Sequence, residues 1–136
     1  MKPTYHTVFV QRRSELMAEL FLQRLRPIAV GRSTTDDLGY DFLVTFKNKM
    51  GGINTFGVQV KGTESAVSPS LVVDKKLHQR LTHSTIPGFV LVANIKQNVL
   101  LYGWPDSTDR HIRLHEVNDE AARELRKQLV NWTQPS

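Results

Sequence analysis

Three polar side chains interrupt two apolar runs: Asp41 in GYDFLVTF, and Gln59 and Lys61 in FGVQVKGT. Strands that only fill a core do not need a carboxylate, a carboxamide and an ammonium at such places. Side chains alternate along an extended strand, so Gln59 and Lys61 share a face. The intervening NKMGG suits a hairpin turn. Facing residues of an antiparallel hairpin have position numbers that add to a constant. An even constant of about 100 or 102 puts Asp41 opposite Gln59 or Lys61 on one face, and an odd one sends it to the other side. In the even case Asp41 supplies a hard anionic oxygen to Mg²⁺ or Mn²⁺, Gln59 a neutral oxygen, and the Val60 backbone carbonyl a third protein ligand. Lys61 then orients an attacking water or neutralises charge growing on a phosphate. That is the chemistry of metal-assisted phosphodiester hydrolysis. The plainer reading of the same residues is a surface salt bridge between Asp41 and Lys61 beside an edge-strand glutamine, worth about 0–1 kcal/mol.

The elements that must position these residues follow from periodicity. From Gln11 to Leu25 the residues Leu16, Met17, Leu20, Phe21 and Leu25 recur at helical spacing, and Pro27 ends the helix. Ile28 to Val30 reads as a short first strand. Tyr40 to Lys47 and Thr55 to Lys61 form the hairpin, with Tyr40, Phe42, Val44 and Phe46 expected on one face. Leu71 to Val73 adds a short strand, and Asp74 caps a helix to about Thr82. Phe89 to Ile95 is a continuous apolar run suited to a strand buried on both faces, paired with Val99 to Trp104 across a turn at Lys96 to Asn98. VNDEAARELRKQLVNW closes the chain as an amphipathic helix capped by Asn118 or Asp119. This order predicts an α/β sandwich around a mixed sheet.

Composition narrows the setting. The chain has 136 residues, a length that fits one domain, and no cysteine, which excludes disulfides and thiolate metal sites. No apolar run approaches the roughly 20 residues that span a bilayer, so the expectation is a soluble, cytoplasmic protein without membrane contact. Eighteen Lys and Arg against thirteen Asp and Glu give a formal charge of +5, which favours polyanionic partners, nucleic acid first.

Taken in order, ELMAELFLQRL, DDLGYD, FGVQVKGT and IPGFVLVANIKQNVLLYGW resemble the leading helix, first motif, second motif and following strand pair of the PD-(D/E)XK, or restriction-endonuclease-like, nuclease superfamily. More narrowly, the chain resembles an uncharacterised bacterial branch with a glycine-x-aspartate motif followed by QxK. The resemblance covers about Ser14 to Pro105. It implies a restriction-endonuclease-like αβββαβ core within a single domain over 1–136, its mixed central sheet flanked by helices, with an extra C-terminal strand and helix. It also implies an Mg²⁺- or Mn²⁺-dependent endonuclease acting on DNA in a defence, repair or mobile-element setting. Asp41 matches the metal-binding aspartate, Gln59 the position usually held by glutamate or aspartate, and Lys61 the catalytic lysine. Glu15, which precedes Ala18 and Leu22, matches the helix glutamate that joins the metal ligands, with Glu19 one turn later as its rival. Gln59 brings no negative charge, so the metal site is weaker unless Glu15 compensates. The alternative is therefore a catalytically weak or inactive nuclease-fold module that binds DNA or a protein partner.

Other residues have candidate roles around this centre. Lys75, Lys76 and Arg80 fall near one helical face and make a candidate phosphate-contacting patch, and Thr63 is placed to bond a phosphate or to cap its strand. Asp36 and Asp37 read as a further carboxylate source or a solvated turn. His78, His83, His111 and His115 read as surface or local polar residues, and Trp104 and Trp132 as packing residues. With no second domain to read sequence, a homodimer placing two sites on opposite strands, or a subunit of a larger complex, is the expected assembly.

Overall fold

Small residues decide how the first helix meets the sheet. In the computed structural model, which describes residues 5–32, 40–66 and 68–133, α1 spans Tyr5–Arg24. It buries Ser14, Ala18, Phe21 and Leu22, with Leu25 just beyond its end, whereas Leu16 and Leu20 are 50% and 74% exposed. The sheet-facing stripe is thus rotated from the one that the apolar periodicity marks. Its two small members bring the helix backbone close to the strands. At the end of α1, Arg26 turns left-handed (φ 57°), its N–H donates to the Gln23 carbonyl at 3.0 Å, and Pro27 prevents continuation.

The chain then forms β1 (Ala29–Arg32), β2 (Phe42–Lys47) and β3 (Ile53–Thr63) as an antiparallel meander. In the hairpin Phe42 faces Val58 and Lys47 faces Ile53, so the constant is even. The Asn48 side-chain oxygen accepts the N–H groups of Met50 and Gly52, and Gly51 takes φ 85° in the turn. β4 (Ser70–Val72) leads to α2 (Lys75–His83), where Asp74 accepts the Leu77 N–H at 2.7 Å as N-cap. β5 (Gly88–Asn94) lies parallel to β3, with every residue buried, which accounts for its unbroken apolar run. β6 (Val99–Gly103), β7 (His111–Arg113), β8 (His115–Glu116) and α3 (Asp119–Val130) complete the order. Asn118, not Asp119, caps α3.

The six-stranded sheet runs β1-β2-β3-β5-β6-β8, and β4 pairs with β7 in a second, two-stranded sheet. The β4–β7 pair and β8 were not anticipated. Their residues are few and mostly exposed, so they leave almost no alternation to read. One core lies under α1 and α3, where Phe42, Val44, Phe46, Phe56, Val58, Phe89 and Leu91 meet the helices. The other lies under α2 and the small sheet, around Val90, Val92, Leu77, Leu81 and Ile112. The architecture is therefore mixed α/β, with helices on both faces of a mixed sheet. Among the described residues no helix is long and apolar enough to cross a membrane.

One face assignment is corrected. Tyr40 packs with Val90 and Val92 in the α2-side core, not beside Phe42, Val44 and Phe46. The cause is a step in the ladder at Asp41. Its N–H donates to the carbonyl of Val58 at 2.9 Å, although Val58 already faces Phe42. Two residues against one is the arrangement of a β-bulge, and it turns the side chains before it to opposite faces.

Candidate active site

β3 outruns β2. Beyond Val58 it pairs on one side only, with β5, through Gln59 to Thr63. The backbone groups of Val60 on the β2 side would otherwise lack a strand partner. The Asp41 carboxylate fills this gap, its Oδ2 accepting the Val60 N–H at 2.7 Å and the Gln59 Nε2 at 3.0 Å. In an extended strand the N–H and C=O of one residue point to the same side, so the Val60 carbonyl opens beside Asp41 as well.

α1 closes the other side of the gap. A cavity of about 450 Å³ is lined by Val10, Gln11, Ser14 and Glu15 from α1, by Asp41, and by Gln59, Val60, Gly62, Thr63 and Glu64. Gly62 makes this approach possible, because a Cβ there would lie 1.9 Å from the Ser14 Oγ and 2.9 Å from its Cβ. Ser14 itself turns its hydroxyl to the Val10 carbonyl at 2.6 Å. On the other face, the Tyr40 ring lies over Gly57 and Gly88, where a Cβ would approach within 2.2 Å and 2.3 Å. The Tyr40 hydroxyl donates to the Ile86 carbonyl at 3.1 Å. These contacts fix the segment that carries Asp41.

Of the residues singled out from the sequence, Glu15, Asp41, Gln59 and Val60 meet in this one cavity, with Thr63 at its edge, and Glu19 does not line it. Lys61 is half-buried on the face of Gln59 and close enough to bear on Asp41. Burial pushes the Asp41 carboxyl above its ordinary range, and the Glu15 charge adds to the rise, against the pull of the Val60 N–H, Lys61 and Arg32. Glu15 is itself engaged: its Oε2 accepts from Arg32 at 2.8 Å and its Oε1 from Gln11 at 3.4 Å. Thr63 accepts the Ser65 N–H at 3.0 Å in a local turn.

Lys75, Lys76 and Arg80 are exposed on α2, on the opposite face of the sheet from α1, and none lines the cavity. Asp36 and Asp37 lie outside the described residues. His78 meets the Asp106 carbonyl at 2.7 Å and His111 meets Asp109 at 2.8 Å. His111 and His115 stand exposed on separate short strands, and His83 is exposed at the end of α2. Trp104 and Trp132 stack on each other, centroids 4.9 Å apart. They line a larger cavity, of about 660 Å³, that has no carboxylate, histidine, lysine or arginine in its wall. Of these two cavities, only the smaller is lined by carboxylates. Arg32 and Glu64 join that cavity's surroundings without having been singled out. The glycines within β3 signal the close approach of another element, but not which residues it brings.

The donor set suits a hard divalent cation. It offers the carboxylates of Glu15, Asp41 and Glu64, a carboxamide and a strand carbonyl, all oxygen. Because Gln59 donates its Nε2 to Asp41, its own oxygen is turned away from that bond and available. Among the described residues no three His, Cys, Asp or Glu gather to hold a metal, although the carboxylates of Glu15, Asp41 and Glu64 all line the cavity. No protein-family model and no curated protein matches the chain.

Proposed function

We propose that this chain is a restriction-endonuclease-like, metal-dependent nuclease acting on DNA. The observation that carries the reading is the convergence at the end of β2: Asp41 is bonded to Val60 and Gln59 in a cavity that Glu15 closes. Of the residues matched to the superfamily's motifs, Glu15, Asp41 and Gln59 line this cavity and Lys61 does not. Asp41, Glu15, Gln59 and the Val60 carbonyl would hold Mg²⁺ or Mn²⁺, which when bound would activate water and polarise the phosphate. Lys61, two residues along β3 and near enough to act on the Asp41 charge, would orient the attacking water or offset charge growing on the phosphate. Water oxygen attacks phosphorus, a P–O bond to the leaving nucleotide breaks, and the proton passes to solvent or to the leaving oxygen. Acting as a homodimer, two such sites would address opposite strands.

A second reading has its own observation. Arg32 already engages Glu15 at 2.8 Å, Asp41 already accepts from Val60 and Gln59, and Gln59 brings no charge, so a cation would meet donors that are largely committed. A nuclease fold serving as a DNA- or protein-binding module fits that state.

Cleavage of supercoiled, linear and single-stranded DNA with Mg²⁺, Mn²⁺ or EDTA separates the two. Metal-dependent cutting is expected, with Asp41→Ala and Lys61→Ala each slower by about a hundredfold or more. A Lys61→Ala variant that cuts at the wild-type rate would remove Lys61 from the site. Salt-sensitive binding with no cutting by any form favours the binding module.

A further inference from the structure

Between the end of α1 and the start of α3 lies a cleft of about 630 Å³ whose charged wall is Arg24, Arg26, Arg123 and Arg126 against one carboxylate, Asp119. Asp119 is committed to Arg24. Arg126 is braced across the gap, its Nε donating to the Leu25 carbonyl at 2.9 Å. The guanidinium groups of Arg26 and Arg123 meet no hydrogen-bond or ion-pair partner among the described residues. With Asp119 offsetting Arg24, the cleft keeps an excess of positive charge, and guanidinium forks match phosphate oxygens.

A second observation concerns Arg26 alone. It takes φ 57° at the position after α1, where glycine is the unstrained choice. A long cationic side chain is held there against backbone preference, and it points to use of the charge.

We infer that this arginine cleft binds the phosphodiester backbone of nucleic acid. The occupant follows from the chain's formal charge of +5 and from placement. The cleft opens at the end of the same helix that carries Glu15, about 14 Å further along its axis at ~1.5 Å per residue. That distance corresponds to roughly four nucleotides of duplex rise. The contacts position the duplex without reading its sequence. The inference rests on the chain being a nucleic-acid protein, and it does not require that the Asp41 cavity cleave.

The test is fluorescence anisotropy of a short labelled DNA duplex, in EDTA and across a salt series. The proteins are wild type, Arg26→Gly, Arg123→Gln, their double variant and a Lys75→Gln/Lys76→Gln variant. Arg26→Gly relaxes the backbone while removing the charge, so a loss of binding there is not a loss of fold. Each cleft substitution is expected to weaken binding about three- to tenfold and to lower the log–log salt slope by about 0.9. The inference is overturned if the double variant keeps wild-type affinity and slope, if only the α2 variant loses affinity, or if wild type does not bind. Cleft variants that lose binding in a protein that never cuts would leave the cleft in place and end only the nuclease reading. Cleavage with an unaltered double variant would do the reverse.

Discussion

The carboxylate of Asp41 accepts the Val60 N–H at 2.7 Å and the Gln59 amide at 3.0 Å, yet its pKa is raised, because burial and the Glu15 charge outweigh these bonds and the two nearby cations. The folded state therefore keeps the Asp41 proton to a higher pH than the unfolded chain does. Stability falls as pH rises from 3.8 through the raised folded value, and the cost is fully present above it. Asp41→Asn cannot ionise and still accepts the Val60 N–H. In EDTA its urea midpoint is expected to exceed that of wild type at about pH 7, with the gap closing toward about pH 3; an equal gap at both would exclude the ionisation of Asp41 as the cause. The shared face of Gln59 and Lys61 was legible from their spacing alone. Asp41 reaches them by another route than simple alternation, because the step at Asp41 belongs to the β2–β3 pairing and leaves no mark in residue type. Arg32 and Glu64 were invisible for a related reason: tertiary packing alone sets what stands near them.

Among the elements, the apposition of α1 and β3 sets the distance from Glu15 to Asp41, and Gly62 controls it. Gly62→Ala would press a methyl against Ser14 Oγ and Cβ and, at 3.1 Å, Val10 Cγ1. Ser14 is buried and its Cβ belongs to the rigid part of the helix, so α1 must move away. A loss of about 1–3 kcal/mol is expected in urea unfolding. Divalent-metal affinity, measured by calorimetry, should fall with it as Glu15 retreats. Destabilisation with unchanged metal affinity would show that Glu15 plays no part in metal binding. The helix, the hairpin and both capped helices were readable from period and cap residues. The inward stripe of α1 was not, because Ser14 and Ala18 are chosen for close approach, a property that hydrophobic periodicity does not register. The β4–β7 pairing was hidden by shortness, since three-residue strands make their contacts without a repeating pattern.

At the scale of the molecule, the two ends of the sequence meet over the sheet through α1 and α3, and an aromatic cluster secures the second of these. Trp132 stacks on Trp104 and sets its ring edge-to-face with Phe56 at 5.6 Å, while Asn54 of β3 donates to the Leu129 carbonyl at the end of α3 at 3.0 Å. Composition could suggest that both tryptophans pack, but their stacking depends on which strands are neighbours, and the parallel β3–β5 pairing behind that is a long-range choice that no local pattern announces. Both indole N–H groups are buried without a hydrogen-bond partner, so their contribution is ring area reduced by an unsatisfied donor. Two substitutions separate these terms. Trp132→Ala removes the ring and is expected to cost about 3 kcal/mol or more, whereas Trp132→Phe keeps an aromatic face, discards the orphaned donor and should cost well under half as much. Urea unfolding of both variants measures the difference. A Phe variant as damaged as the Ala variant would mean that the full indole, and not an aromatic face alone, is what anchors α3.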